Sequence, residues 1–243
     1  MLTSRSLTMW VSAALLAAVA ACASAPARAV SAPPTPTSAG PLIPNLYDVQ
    51  QQVDRYITSG QYDTDFARVV SAATGWLDER AKTAAKPAIV LDIDETSLSN
   101  WPAYRVNDWG RVVNGGCDLQ QGPCGVRAWQ GLGQSKALAP TLALARHAHD
   151  LGVAVFFISG RPPTLRDATE RNLREQGYQW TAVVLLPEGK QFASAVDFKA
   201  PERQKISGQG YTIVLSLGDQ ESDLKGGYAE RTFKLPNPVY FLP

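Results

Sequence analysis

KPAIVLDIDETSLSN, residues 86–100, joins a short apolar run to two closely spaced aspartates. Residues 88–91 are rich in branched side chains, follow a proline and are too few for a helix, so they predict a buried strand of a parallel sheet. Residues two apart on a strand point the same way, and therefore Asp92 and Asp94 can face one crevice. Open α/β sheets bind ligands at the carboxyl ends of their strands. We expect a functional site here; the alternative is an acidic turn that only caps the strand.

Helix and strand signals alternate on both sides of this stretch. Apolar residues recur at helical spacing over residues 46–57 and 66–77. Further helices are predicted over residues 140–151 and 162–177, and a short one after Lys199. Three more apolar runs predict strands over residues 153–158, 181–186 and 211–217. The predicted fold class is therefore α/β, with three layers around a mainly parallel sheet.

The composition is that of an ordinary globular protein with one domain, which we assign to residues 45–243. Of the 243 residues, 45% are hydrophobic and 19% are charged, which is enough material for one sizeable core. The net charge is +1 and no run of basic residues is present. Neither a nucleic-acid polymer nor electrostatic binding to a membrane is therefore expected.

The amino terminus predicts export. Residues 1–21 are predicted to be a signal peptide, because Arg5 precedes an apolar stretch that is too short and too alanine-rich to span a bilayer. Val-Ala-Ala-Cys22 resembles the bacterial lipobox, which predicts a lipid anchor at Cys22; residues 27–29 fit ordinary signal cleavage as the alternative. The Pro/Ala-rich residues 22–44 are predicted to form a flexible tether. The expected location is the outer membrane or the periplasm, and otherwise the medium.

A long irregular segment, about residues 101–136, follows the first predicted strand. Trp101, Tyr104 and Trp109 lie in it among proline, glycine and asparagine residues. Such an insertion beside a candidate site is usually functional, so we expect a small cap. Its aromatic side chains either contact a substrate or only hold the insertion together.

Two cysteines lie close together in the insertion. Cys117 and Cys124 flank a glycine-rich loop, and an oxidising compartment is expected to join them in a disulfide. A zinc site is the competing interpretation, but two cysteines with no histidine nearby supply too few ligands.

Polar side chains at four strand ends or loops occur in an order that resembles the haloacid dehalogenase superfamily, with its Rossmann-like core. Within it, IVLDIDETSLSN, FFISGRP and GYTIVLSLGDQESDL are similar to the secreted acid phosphatases, which group the plant acid phosphatases and vegetative storage proteins with the bacterial class C lipoproteins. The resemblance covers about residues 45–235. The matching positions are Asp92, Asp94, Ser159, Arg161, Lys199, Arg203, Asp219 and Asp223.

The resemblance implies an acid phosphatase that acts on a small phosphomonoester through an aspartyl-phosphate intermediate. Asp92 would be the nucleophile, and Asp94 would protonate the leaving alcohol and then accept a proton from water, which requires a raised pKa and implies an acidic pH optimum. Ser159 would bind one phosphoryl oxygen and Lys199 would neutralise another. Lys205 is the alternative to Lys199.

The resemblance also implies a metal ion. Two carboxylates and a phosphate dianion repel one another, so the site needs a cation, and an all-oxygen ligand set suits Mg²⁺. The implied ligands are the Asp92 carboxylate, the Asp94 backbone carbonyl and Asp219, with Asp223 acting through a water.

Five residues are candidates for substrate binding. Trp101, Tyr104 and Trp109 could stack a nucleobase or an aromatic leaving group, which predicts a preference for 5′-nucleotides and aryl phosphates. Arg161 and Arg203 match arginines of the family's motifs, and for Arg161 a structural role is the alternative.

Other functions remain as alternatives. A response-regulator receiver also phosphorylates an aspartate, but it would lack a cap and an export signal. A phosphotransferase would use an alcohol in place of water at the same site. A non-catalytic surface or storage lipoprotein of the same fold is disfavoured because both Asp92 and Asp94 are present.

Overall fold

The computed structural model describes residues 43–190 and 192–242, and the predicted signal peptide and the tether up to residue 42 lie outside these ranges. In chain order the helices and strands are α1 (Leu46–Thr58), α2 (Gln61–Arg80), β1 (Pro87–Leu91), β2 (Leu98–Ser99), α3 (Trp101–Arg105), α4 (Val126–Leu132), β3 (Lys136–Ala137), α5 (Ala139–Asp150), β4 (Ala154–Ser159), α6 (Arg166–Glu175), β5 (Ala182–Leu185), α7 (Val196–Gly208), β6 (Thr212–Gly218) and β7 (Arg231–Lys234). In these ranges no helix has the length and apolarity to cross a membrane.

The central sheet has the strand order β5-β4-β1-β6-β7, and every neighbouring pair is parallel. In the central strand, Leu91 pairs with Phe157 of β4 on one side and with Leu217 of β6 on the other. The residues that follow these three strands therefore meet at one edge of the sheet, where ligands bind in open α/β folds.

The apolar run of β1 is continuous because both faces of the strand are covered. Ile89 and Leu91 pack in a core that also contains residues of α2 and α5. Ala88 and Val90 point the other way and pack with Phe198 of α7. Burying each larger side chain contributes about 1.5–3 kcal/mol, so a strand between two helical layers favours apolar residues at every position. The predicted three-layer α/β fold is confirmed.

Two elements differ from the sequence-based prediction. The helix expected after Lys199 begins before it, at Val196, and Pro201 lies inside it. The sheet has a fifth strand, β7, in which only Phe233 is buried. A single buried side chain on an edge strand leaves no apolar run, and for this reason the sequence pattern did not indicate it.

The insertion after β1 is held at both ends. Leu98 of β2 pairs with Ala137 of β3 in a two-stranded antiparallel sheet, which brings the two ends of the insertion together. Between them lie α3, α4 and the predicted disulfide, which is confirmed by a bond between Cys117 and Cys124.

Candidate active site

The carboxyl ends of β1, β4 and β6 open into one cavity of about 110 Å³. Three of the candidate residues do not line this cavity: Trp101, Trp109 and Arg203. The other candidates line it or lie beside it. The candidate residues that line the cavity are Asp92, Asp94, Tyr104, Ser159, Arg161, Lys199 and Asp219. Residues far apart in the sequence are thus brought together by the parallel register of the sheet.

Three carboxylates share the inner end of this site. Asp92, Asp219 and Asp223 each offer one oxygen within 4.8 Å of the others. Lys199 lies among them, and its Nζ donates to Asp92 Oδ1 at 2.6 Å and to Asp223 Oδ1. Lys205, the alternative to Lys199, is exposed and pairs with a glutamate of its own helix. The lysine in the site is therefore Lys199.

Burial and mutual repulsion control the pKa values in this cluster. Burial raises the pKa of Asp92; Lys199 opposes this effect, and the charges of Asp223 and Asp219 add to it. Burial also raises the pKa of Asp219 to about 6, with a further increase from the charge of Asp223. Burial acts to lower the pKa of Lys199, but the charges of Asp223 and Asp92 outweigh it and the pKa is raised. The lysine therefore stays charged, and it forms ion pairs with two of the three carboxylates, Asp92 and Asp223.

Asp94 lies in a different environment from Asp92. The buried guanidinium of Arg161 donates to both oxygens of Asp94, at 2.8 Å from Nη2 and 3.2 Å from Nε. Asn100 Nδ2 and Gln130 Nε2 donate to Asp94 Oδ1 at 2.7 and 3.0 Å. Burial acts to raise the pKa of Asp94, but the charge and hydrogen bonds of Arg161 outweigh it and the pKa is lowered. The shift of the Asp94 pKa is therefore opposite in direction to the one expected from the sequence.

Ser159 and the two candidate arginines have distinct positions. Ser159 is the last residue of β4; it is buried, and its Oγ accepts a hydrogen bond from Arg161 N at 3.3 Å. Arg203 does not line the cavity and donates to the carbonyl oxygens of Asp223 at 2.8 Å and Gly227 at 3.0 Å. Arg203 thus holds the loop that follows β6.

The tryptophans of the insertion pack away from the cavity. The Trp101 ring centroid lies 5.2 Å from that of Tyr62 on α2 and 6.0 Å from that of Trp109. Trp109 packs in a cluster with residues of α1 and with Tyr104. Because these rings bury against the helices, they attach the insertion to the core and are not positioned to stack a substrate. Of the three aromatic candidates, only Tyr104 lines the cavity.

The carboxyl-terminal segment, residues 236–242, forms a wall of the site that the sequence did not indicate. Asn237 Nδ2 donates to Asp219 Oδ2 at 2.6 Å. The Tyr240 ring lines the cavity, and its hydroxyl donates to Glu95 Oε2 at 3.2 Å. Burial raises the pKa of Glu95 to about 8, and the charge of Asp94 adds to this. No motif marks residues 236–242, so no sequence signal could have found them.

The donor set of the acidic cluster fits a divalent cation. The ligands that Asp92, Asp219 and Asp223 can offer are all oxygens, which is the preference of Mg²⁺. Lys199 offsets part of their charge, and a cation with two positive charges would offset the rest. Gly218 permits the close approach of Asp223, because a Cβ at position 218 would clash with the Asp223 side chain.

The fold and the site together define a three-layer α/β protein with a cluster of three aspartates, able to hold a cation, at the carboxyl edge of its sheet. Residues 42–243 match a family described as HAD superfamily, subfamily IIIB (acid phosphatase). The chain belongs to this family, and it is an acid phosphatase, an enzyme that hydrolyses phosphoric monoesters.

Individual relatives agree with this assignment. The chain is 35% identical over 191 residues to the stem 28 kDa glycoprotein of Glycine max, covering 77% of this chain and 72% of that protein. It is 30% identical over 197 residues to acid phosphatase 1 of Solanum lycopersicum, covering 78% and 73%. The crystal structure of the class C acid phosphatase of Bacillus anthracis with tungstate bound matches with a TM-score of 0.65 and 25% identity, over 81% of this chain and 86% of that one.

Proposed function

We propose that this acid phosphatase works through an aspartyl-phosphate on Asp92, with Mg²⁺ held by the acidic cluster. The observation that carries the proposal is the placement of Asp92 and Asp94 side by side at the end of β1, the first with Lys199 and the acidic cluster, the second with Arg161. Two carboxylates in different environments can take two different roles, nucleophile and acid–base.

Each half-reaction breaks one bond to phosphorus. In the first, a carboxylate oxygen of Asp92 attacks phosphorus, the bond to the leaving oxygen breaks, and Asp94 gives that oxygen a proton. In the second, water attacks phosphorus and gives a proton to Asp94, and the bond to Asp92 breaks. Phosphate leaves, and both aspartates return to their starting state.

Other side chains neutralise and position the phosphoryl group. Lys199 and the Ser159 hydroxyl lie at the cavity and supply donors to phosphoryl oxygens, whose charge spreads in the transition state. Asp94 begins with a lowered pKa because of Arg161, and a bound phosphoryl dianion opposes that effect by repulsion of like charges.

The metal would be held by Asp92, Asp219 and the Asp94 carbonyl, with Asp223 beside them. When bound, Mg²⁺ supplies positive charge that keeps Asp92 ionised and offsets the charge of the phosphoryl oxygens. The similar class C acid phosphatase of Bacillus anthracis binds tungstate, a tetrahedral oxyanion like phosphate, and this supports an oxyanion position in the same fold.

The test is hydrolysis of p-nitrophenyl phosphate with Mg²⁺, with a chelator, and after Mg²⁺ is restored. We expect turnover only when the metal is present, and we expect Asp92→Asn to lose about 10⁴-fold or more, since it removes the nucleophile. Asp63→Asn, which changes an exposed aspartate of α2, is the matched control and should keep the full rate. Wild-type turnover by Asp92→Asn would contradict the mechanism. No turnover of any monoester would favour the storage alternative.

A phosphotransferase uses the same residues with an alcohol in the second half-reaction. We propose hydrolysis as the main outcome. Added glycerol separates the two, because glycerol phosphate appears among the products only if the alcohol competes with water.

The substrates we propose are aryl phosphates and 5′-nucleotides. Tyr104 and Tyr240, with ring centroids 5.6 Å apart, line the cavity in place of the expected tryptophans. A base or aryl group that contacts the half-buried Tyr240 ring would gain up to roughly 1–3 kcal/mol from the aromatic contact. Tyr240→Leu should therefore reduce kcat/KM for AMP roughly tenfold, by the equivalence of 1.4 kcal/mol and a factor of ten, and change glycerol phosphate less.

The location we propose is the cell envelope. The signal peptide of residues 1–21 and a lipid on Cys22 are supported by the sequence pattern alone.

A further inference from the structure

Two arginines of the insertion line the mouth of the active-site cavity. Arg111 and Arg127 are both exposed, and in the part of the chain that the structure describes neither has a carboxylate within 4.0 Å. In contrast, the inner cations of the same cavity form ion pairs. Arg161 pairs with Asp94, and Lys199 pairs with Asp92 and Asp223. The mouth of the cavity therefore carries positive charge that no carboxylate of the described residues pairs with.

The backbone of the insertion fixes the positions of these two arginines. Arg127 N donates to the carbonyl oxygen of Val113 at 3.2 Å, and Val126 N donates to that of Val112 at 2.8 Å. The disulfide closes the loop between these paired segments. The Arg111 guanidinium also lies over the Tyr240 ring, 5.2 Å from its centroid. Contact with a ring face leaves the N–H groups at the edge of the guanidinium available to a ligand.

The space beside the mouth is large enough for a leaving group with its own substituent. Arg127 and Pro162 belong both to the active-site cavity and to a neighbouring cavity of about 350 Å³. The walls of the neighbouring cavity come from residues 162–165 and 186–190. A leaving group that extends from the active-site cavity into the neighbouring one would lie beside Arg127, which lines both.

We propose that Arg111 and Arg127 form a second anion site, which selects phosphomonoesters whose leaving group carries a carboxylate or a second phosphate. The phosphoryl group to be transferred lies with Asp92 and Lys199 in the inner cavity, and the second anion meets the arginines at the mouth. Arginine is well suited to this task because its planar fork can donate two hydrogen bonds to a carboxylate or a phosphate. The inference rests on the proposed function of the same site.

Binding of inert analogues tests the site without turnover. We would titrate the Mg²⁺-loaded wild-type protein with 3-carboxyphenylphosphonate and with its neutral match, 3-carbamoylphenylphosphonate. The two differ only in the charge of the distal group. We expect the carboxylate to bind roughly threefold to tenfold more tightly, since exposed ion pairs contribute little and paired N–H donors add to them.

The variants Arg111→Gln, Arg127→Gln and the double variant are then titrated with both analogues. The ratio of the two dissociation constants should fall stepwise to about one in the double variant. Lys82→Gln, which removes an exposed cation in the turn before β1, is the control and should keep the wild-type ratio. A ratio near one in the wild type would overturn the proposal. An equal loss of affinity for both analogues in the variants would also overturn it, because the arginines would then only attract phosphonates in general.

Turnover distinguishes the two sources of the second anion and separates this proposal from the proposed function. Two pairs of substrates are compared, each with one charged and one uncharged distal group. The first pair, 3-carboxyphenyl phosphate and 3-carbamoylphenyl phosphate, tests a distal carboxylate. The second pair, 1,3-propanediol bisphosphate and 3-hydroxypropyl phosphate, tests a distal phosphate. A preference of kcat/KM for the charged member of either pair, lost in the double variant, supports the site and names the anion. Loss of turnover of every monoester with the analogue ratio intact would count against the proposed function alone.

Discussion

The ammonium group of Lys199 is buried between two carboxylates, and no other cation of the described chain contacts either of them. A buried charge is stable only when it is paired, and removing one partner leaves the other uncompensated. Removal of the Lys199 ammonium would leave both Asp92 and Asp223 without the cation that pairs with them. Lys199 therefore supports the structure of the cluster as well as any chemistry at Asp92.

Replacing Lys199 by methionine should affect both stability and turnover. We expect a loss of about 3 kcal/mol in the free energy of unfolding at neutral pH, because two buried carboxylates lose their partner. Turnover of p-nitrophenyl phosphate should fall roughly 10²-fold or more, as when one donor to developing charge is removed. Urea unfolding and steady-state kinetics measure the two effects.

The control for this change lies on the same helix. Lys205→Met removes an exposed lysine paired with Glu202, six residues along α7 from Lys199. It should leave both the unfolding midpoint and the rate close to wild type. Equal effects of the two substitutions would mean that Lys199 has no special role.

At the scale of the structural element, the disulfide stabilises the ordered form of the insertion after β1. The bond between Cys117 and Cys124 closes the loop whose paired ends carry Arg111 and Arg127 at the cavity mouth. The bond restricts the unfolded chain and thus favours the ordered insertion. The bond adds to the β2–β3 pairing and to the packing of Tyr104 and Trp109, which also order the insertion.

Removal of the disulfide by Cys117→Ser with Cys124→Ser should lower the free energy of unfolding by about 2–3 kcal/mol, the value expected for so short a loop. Urea unfolding of the variant and the wild type measures the difference. Adding a reductant should lower the wild type to the level of the variant and leave the variant unchanged. Two free thiols in the native exported protein, detected by mass spectrometry, would show that the bond does not form in the cell.

The carboxyl-terminal segment acts on the acidic cluster through Asn237. The Asn237 side-chain amide donates to Asp219 Oδ2, and the Gln220 side-chain amide donates to the same oxygen at 2.6 Å. These bonds hold one oxygen of the Asp219 carboxylate, and Thr96 Oγ1 donates to the other at 3.3 Å, so the orientation of the carboxylate is fixed. Groups that orient a metal ligand in this way usually contribute to metal affinity.

Asn237→Ala should weaken Mg²⁺ binding by roughly 10-fold to 100-fold, because Asp219 loses one orienting donor. Calorimetric titration of the metal-free protein with Mg²⁺ measures this without any substrate. Asn114→Ala, at an exposed position of the insertion, is the control and should bind as the wild type does. Unchanged affinity in Asn237→Ala would show that Gln220 alone suffices.

At the scale of the whole molecule, the sequence combines an acid phosphatase domain with an amino terminus for which we propose export. An enzyme tethered outside the cytoplasm would meet phosphate esters from the surroundings of the cell. The expected anchor is the lipid on Cys22, which lies outside the described residues.

Cys22→Ala should move the protein from the membrane fraction to the soluble fraction, or block its processing, because the lipid is then not attached. Fractionation of expressing bacteria, with immunoblotting of both fractions, measures the distribution. Cys124→Ser serves as the control for loss of a cysteine elsewhere and should remain with the membrane. A soluble wild-type protein that starts near Val30 would show ordinary signal cleavage instead.

The sequence by itself was enough to predict the central features of the fold and part of the site. An apolar strand with aspartates at its carboxyl end is a local pattern, and its consequences follow from strand geometry and from the parallel order of the sheet. The fold class was predicted correctly for this reason. The family was predicted from the resemblance of three motifs, and the disulfide from two cysteines close together in a chain expected to be exported. Lys199 was preferred to Lys205 on a motif, and it is the lysine found at Asp92.

Only the tertiary structure decided what surrounds the two aspartates. Arg161 lowers the pKa of Asp94 because strand β4 ends beside β1, and nothing local to either residue shows this. Trp101 and Trp109 pack against residues of α2 and α1, whereas the sequence showed only that they follow the strand that carries the two aspartates. Asn237 and Tyr240 reach the site from a segment without a motif. Contacts between residues far apart in the chain depend on how whole elements pack, and no pattern within one element can specify them.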